Sequence, residues 1–179
     1  MNELSPERRF TLVSPDGREM RQLLPVDAPD YWGAIQQGGR EHLNQFGEDI
    51  ATNNERAEIT RQRIQESLDR GDLRFGIWVR PAAADKQLLV GHVGLTFDDA
   101  GNVSIGYWVG EPHTRQGHAS CGITTVLGFV FGVLRVDRVN ALVHVDNEAS
   151  RRTAEATGFV WGRMIGKKIT YTAFRGLYD

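Results

Sequence analysis

The sequence predicts an α/β fold built on a mostly antiparallel sheet with at least one parallel crossover. Three observations point there. Short apolar or alternating runs bounded by turn residues recur along the chain. Two of them, QLLVGHVGLTF (Gln87–Phe97) and NVSIGYWV (Asn102–Val109), flank the turn segment DDAGN (Asp98–Asn102) and read as a hairpin. The second run is followed by a helix-length apolar stretch and then by RVNALVHV (Arg138–Val145), the order of a strand–helix–strand crossover.

From the start, RFTLVS (Arg9–Ser14) alternates polar and apolar residues as a half-buried strand does, PDG (Pro15–Gly17) turns the chain, and EMRQLLP resumes the extended pattern. VDAPDYWGAIQQGG reads as a helix with Asp27 at its N-cap and Gly38–Gly39 as its stop. REHLNQFGEDIATNNE is mixed, a short helix and a loop. NNERAEITRQRIQESLDRGD is a clearer helix, with Ile64 and Leu68 on one face and Gly71 ending it. RFGIWVR is a strand closed by Pro81, and the hairpin follows. A helix spans about Gly117 to Leu134, and Arg138–Val145 is a buried strand. DNEASRRTAEATG is a helix capped by Asp146 or Asn147 and ended by Gly158, and FVWGRMIGKKITYTAFRG supplies the final strands.

The 179 residues fit a single domain over 1–179, large enough to bury a core without staples. A net charge of −2 and a pI near 6.2 argue against direct nucleic-acid binding. One cysteine, Cys121, excludes an intrachain disulfide; the opening MNELSPERRF lacks the apolar core of a signal peptide; and Ile123–Leu134 is too short to span a bilayer. The expected setting is cytoplasmic, away from membranes.

The segment GEPHTRQGHASCG (Gly110–Gly122) links strand to helix and is basic and glycine-containing. A helix N-terminus presents unsatisfied N–H groups and the positive end of the helix dipole, which suits phosphate. Gly117 allows close backbone approach, and Arg115 and His118 add positive potential. Pyrophosphate binding is one reading; an ordinary βα turn with a solvated arginine is the other. A Walker loop is excluded because no Gly-Lys-Ser/Thr follows, and the three-glycine dinucleotide fingerprint is absent.

In order and spacing, REHLNQF (Arg40–Phe46), LLVGHVGL followed by SIGYWVGEPHTRQGHAS, and RVNALVHVDNEASRRTAEATGFV resemble the GNAT acetyltransferases, in particular their RimJ/RimL type. The resemblance runs from about residue 9 to residue 168. It implies a GNAT-like mixed, mostly antiparallel central sheet flanked by helices and splayed at the acetyl-CoA site. It also implies acetyl-CoA as donor and direct attack by a primary amine; no metal-ligand spacing is present, so no metal is expected. The cofactor loop departs from the family's Gln/Arg-x-x-Gly-x-Gly/Ala: Thr114 takes its first position and Arg115 stands where a further glycine is common, while Gly117 and Ala119 match. Either the loop bends differently or Arg115 reaches the phosphates.

Carried onto this chain, the resemblance places coenzyme A on Trp108, Val109, Thr114, Arg115, Gln116, Gly117, His118, Ala119, Ser120, Asn147 and Ser150. The strand end near Trp108 and Val109 would pair with the pantetheine amides and polarise the thioester carbonyl. The helix tyrosine that often protonates the leaving thiolate is replaced by Ala154, which leaves Ser150 as the candidate acid beside the thiol. Ser150 also fits a plain first-turn role, and Asn147 fits both capping and pantetheine binding. Glu41, His42, His92, His113 and His144 are candidate bases, with Glu41 and His42 favoured because their segment lines the acceptor side in RimJ/RimL relatives. Water could carry the proton instead.

Cys121 near a helix start reads as a small packing residue, since no Cys–His–Asn pattern accompanies it. Gly128 and Gly132 read as permitting close helix–sheet packing. Trp32, Trp78, Trp108 and Trp161 read as core or pocket wall. The expected acceptor is an α-amine of a peptide or protein. Alternatives are a small amine (antibiotic, polyamine or amino acid), a non-catalytic acyl-CoA-binding module, and a nucleotide-binding protein that uses the turn for another phosphate. A homodimer is compatible with the sequence.

Overall fold

The computed structural model describes residues 9–44, 57–81 and 85–178. Its elements run β1 (Thr11–Val13), β2 (Glu19–Gln22), α1 (Ala28–Gln37), α2 (Arg40–Asn44), α3 (Ala57–Asp69), β3 (Leu73–Val79), β4 (Leu88–Phe97), β5 (Val103–Val109), α4 (His118–Gly132), β6 (Arg138–His144), α5 (Glu148–Ala156), β7 (Val160–Ile165) and β8 (Lys168–Phe174). The expected order holds, and the mixed segment after Gly39 begins with a short helix of its own. The loop expected after Asn44 and the start of the chain lie outside the described residues.

The strands form one eight-stranded sheet in the order β1-β2-β3-β4-β5-β6-β8-β7. Every neighbouring pair is antiparallel except β5–β6. That parallel pair is the crossover through α4 that the sequence predicts.

Helix α4 crosses one face over β1, β2, β4 and β5, with α5 beside it; α1 packs on β4 and α3 on β3 from the other face. Alternation along the strands sorts side chains accordingly. Val93, Leu95, Val103, Ile105, Val139, Ala141 and Tyr171 meet Ile123, Val126, Leu127 and Val130 of α4 in the larger core. Leu23, Trp78, Leu89 and Trp108 meet Tyr31, Ala34, Ile35 and Leu43 in a smaller one.

The packing corrects several expectations. Gly128 and Gly132 face solvent with open space where a Cβ would stand, so their spacing serves no close approach. Gly122 does that work: a Cβ there would lie 3.0 Å from Val93 Cγ2 and 3.1 Å from Ile77 Cδ1. Trp161 sits on the edge strand β7 and is exposed rather than core. Cys121 is half-buried and packs against the larger core, as the sequence suggests, with its Sγ 3.5 Å from the Asp16 carboxylate. Asp27 precedes α1 as expected, but its carboxylate accepts the Leu24 N–H at 2.8 Å and pairs with Arg9, so it closes the preceding turn rather than capping the helix. No helix among the described residues is long and apolar enough to cross a membrane.

Candidate active site

The β5–β6 ladder stops after Val103–Val139 and Ser104–Asn140, although β5 continues to Val109 and β6 to His144. Past Ser104 the two strands part and leave an opening in the sheet. The Gly110 N–H donates to Val90 O of β4 at 2.9 Å. The two sides of a trans peptide unit point opposite ways, so the Val109 carbonyl in that unit faces away from β4, toward the opening. His42 of α2 reaches the same oxygen, its Nε2 at 3.3 Å.

Beyond β5 the chain makes one tight turn over Glu111–His113 and enters the segment that starts α4. The Thr114 hydroxyl donates to Glu111 O at 2.9 Å and the Gln116 amide to Pro112 O at 3.2 Å, so both side chains brace the turn. Arg115 has φ +58° and Gly117 φ +75°. Arg115 thus takes the left-handed conformation that a glycine adopts most easily. Gly117 is the N-cap of α4, with no side chain capping the helix. The first-turn N–H groups of His118, Ala119 and Ser120 therefore have no acceptor within the helix. A Cβ at Gly117 would meet only the Arg18 guanidinium, at 3.8 Å. An open surface, uncapped donors and a helix dipole fit a pyrophosphate.

His118 contributes less positive charge than expected. Its ring is buried, with Nε2 3.3 Å from the Gln116 side-chain oxygen and Nδ1 3.5 Å from Arg18. Burial, then the charges of Arg18 and His113, hold its pKa below the ordinary value. Arg18 is a second cation beside the turn after Arg115; its guanidinium lies 3.5 Å from Gln116 O and pairs with Asp16 at 3.1 Å. Arg18 and His118, with Trp78, Arg80 and Gln87, line a cavity of about 450 Å³ next to the turn.

At the far side of the opening α5 begins. Asn147 caps it, its side-chain oxygen accepting the Ser150 N–H at 2.9 Å. Asp146 is not the cap; it lies beside His144 at 3.6 Å. The phenol oxygen of Tyr107 on β5 lies 2.7 Å from the Ser150 Oγ and 3.0 Å from the Ser150 carbonyl oxygen, within hydrogen-bond reach of both. Burial pushes the Tyr107 pKa up to about 12 against the opposing effect of its Ser150 hydrogen bond. Ala154 is fully buried in the larger core. A tyrosine hydroxyl is thus present beside Ser150, supplied by the strand rather than by the helix.

The candidate bases separate. Glu41 is exposed on α2. His42 meets the opening at Val109. His92 lies on β4 beside the rings of Tyr31 and Trp108, at 5.8 and 6.3 Å between centroids. Both its ring nitrogens are covered and make no hydrogen bond, and burial followed by the Arg74 charge pushes its pKa down to about 3. Trp108 Nε1 donates to the Tyr31 hydroxyl at 3.3 Å, so this tryptophan roofs the smaller core while its backbone edges the opening. His113 lies in the turn before Thr114, and His144 beside Asp146 at the end of β6.

Sequence reasoning missed Arg18 and Tyr107. Arg18 comes from a turn 98 residues before Gln116, and nothing local marks it. Tyr107 shares a strand face with Val103 and Ile105, and its hydroxyl was the available signal: a buried phenol needs a partner.

A sheet that parts beside an uncapped, glycine-started helix suits an extended ligand with a phosphate at one end. The GNAT acetyltransferase domain model matches residues 19–160, and the chain belongs to that family of acetyl-CoA-dependent N-acetyltransferases. It is 27% identical over 158 residues to an uncharacterized N-acetyltransferase, YoaA, from Bacillus subtilis strain 168, covering 84% of this chain and 83% of that one. Among solved structures it resembles RimL, the ribosomal L7/L12 alpha-N-protein acetyltransferase in complex with coenzyme A (TM-score 0.77, 16% identity, 92% of this chain and 98% of that one). It also resembles a variant of the spermidine N-acetyltransferase SpeG from Vibrio cholerae (TM-score 0.66, 17% identity, 89% and 96%).

Proposed function

We propose that the protein transfers an acetyl group from acetyl-CoA to the α-amine of a peptide or protein. The observation that carries this reading is the placement of the candidate bases. Of Glu41, His42 and His92, only His42 reaches the opening; the Glu41 carboxylate is exposed and the His92 nitrogens are covered. An α-amine of pKa near 8 is about a tenth neutral at pH 7, whereas a free lysine near 10.4 is under about a thousandth neutral. An imidazole as the candidate base suits the amine that is already partly neutral. RimL, named for an alpha-N-protein substrate, shares the fold and supports the reading.

In this reading Gly117, with the N–H groups of His118, Ala119 and Ser120, holds the pyrophosphate. Thr114 and Gln116 brace the turn, and Arg115 and Arg18 add positive charge. The pantetheine arm lies in the opening against Trp108, Val109 and Asn147. The amine nitrogen attacks the thioester carbonyl carbon, the C–N bond forms, and the C–S bond breaks with its electron pair going to sulfur. The nitrogen gives up its proton to His42 or to water through it. Ser150 donates a hydrogen bond to the departing sulfur.

The test is a competition between peptides with a free α-amine and a blocked lysine and peptides with the reverse, read by coenzyme A thiol release. Faster acetylation of the α-amine peptides is expected. Faster acetylation of the lysine peptides, or activity confined to small amines such as spermidine, would overturn the α-amine assignment.

A further inference from the structure

We propose that Tyr107 is a positioning residue for the reaction: it orients the Ser150 hydroxyl so that the serine proton points at the departing sulfur. The inference rests on the reading that the thioester sulfur lies beside Ser150. It starts from a count of hydrogens. The Tyr107 phenol has one proton and two neighbours on Ser150, the carbonyl oxygen at 3.0 Å and Oγ at 2.7 Å. The carbonyl only accepts; the serine hydroxyl donates one proton and accepts others. If the phenol donates to the carbonyl, the Ser150 proton is drawn onto the phenol oxygen and away from the opening. If the phenol donates to Oγ, the Ser150 proton is free to face the opening. An anion forming at sulfur favours the second arrangement, because it leaves a donor aimed at the charge.

Three further features support positioning over proton donation. Burial raises the phenol's pKa and makes it a weaker acid than the departing thiol, so it acts as a hydrogen-bond donor and keeps its proton. The Ser150 backbone is fixed independently, since Asn147 holds its N–H, which leaves the hydroxyl rotor as the free variable. Tyr107 stands on β5 at the edge of the opening and packs against the core that contains the fully buried Ala154. Strand and helix are therefore tied at the point where the leaving group would sit.

The experiment is a double-mutant cycle with Tyr107→Phe and Ser150→Ala, measuring kcat, the KM for acetyl-CoA, coenzyme A affinity by calorimetry and melting temperature. Loss of one hydrogen bond that acts in the transition state corresponds to about a fivefold to tenfold loss of rate. Tyr107→Phe is expected to lower kcat by about that factor, with KM and coenzyme A affinity within about twofold of the parent. In the Ser150→Ala background the same change is expected to cost nothing further. An equal loss in both backgrounds, a loss confined to KM or melting temperature, or no loss at all would overturn the inference. If Ser150→Ala itself leaves kcat unchanged, the placement of the sulfur beside Ser150 fails, and Tyr107 falls with it. If Ser150→Ala lowers kcat and Tyr107→Phe does not, only the positioning role fails.

Discussion

The imidazole of His42 stands 3.3 Å from the Val109 carbonyl oxygen and ties the first turn of a short helix to the strand end that borders the opened sheet. That contact fixes the ring with Nε2–H donating to the carbonyl, and in the proposed reaction Nδ1 is the nitrogen that accepts the amine proton. His42→Ala is expected to lower kcat by roughly a hundredfold at pH 7, the scale of a lost general base, while coenzyme A affinity stays near the parent value. Single-turnover rates with saturating acetyl-CoA measure this directly. Unchanged rates would remove His42 from the chemistry.

His92 has a consequence for stability. Its folded pKa is pushed down to about 3, below the 6.5 of an unfolded histidine. Between those values the unfolded chain binds a proton that the folded chain does not, so this residue makes stability rise with pH across that window. Its contribution is complete above about pH 6.5 and lost progressively as pH falls, at no more than about 1.4 kcal/mol per pH unit. Urea unfolding from pH 7.5 down to pH 4.5 should therefore show a steeper loss for the parent than for His92→Leu. Parallel curves would show that the imidazole is protonated in the folded protein.

Gly128 lies in the exposed interior of α4 with no atom within 4 Å of a Cβ built there. Gly128→Ala removes backbone freedom from the unfolded chain and is expected to stabilise the protein by about 0.5–1 kcal/mol. Gly122→Val, which forces bulk against Val93 and Ile77, is expected to destabilise it. Urea midpoints compare the two. Destabilisation by Gly128→Ala would restore a packing role to that glycine.

Much of this arrangement is legible in the sequence because it is local. The hairpin of β4 and β5 follows from its turn residues, α5 from Asn147 and Gly158, and the phosphate-suited turn from Gly117 at a strand–helix junction. What escapes is set by contacts distant in sequence. Arg18 reaches the turn across nearly a hundred residues, and Tyr107 finds Ser150 only because β5 and α5 converge on the parted sheet. His118 reads as a surface cation by residue type, but Arg18 and Gln116 close over its ring. The spacing of Gly128 and Gly132 records a helix period and does not say which face is buried; the neighbouring Gly122 sits on the packed face.

The central claim is that coenzyme A is held by main-chain donors at the start of α4. Calorimetric titration of coenzyme A into the parent and into Gly117→Asp tests it most directly. Aspartate tolerates the left-handed conformation of this position better than most residues, so the fold should survive while negative charge and bulk enter the anion site. The expected result is an affinity at least about tenfold weaker, a loss of about 1.4 kcal/mol or more, in a protein that still unfolds cooperatively with a modestly lower melting temperature. Parent-like affinity in a folded Gly117→Asp protein would contradict the placement of the pyrophosphate on this turn.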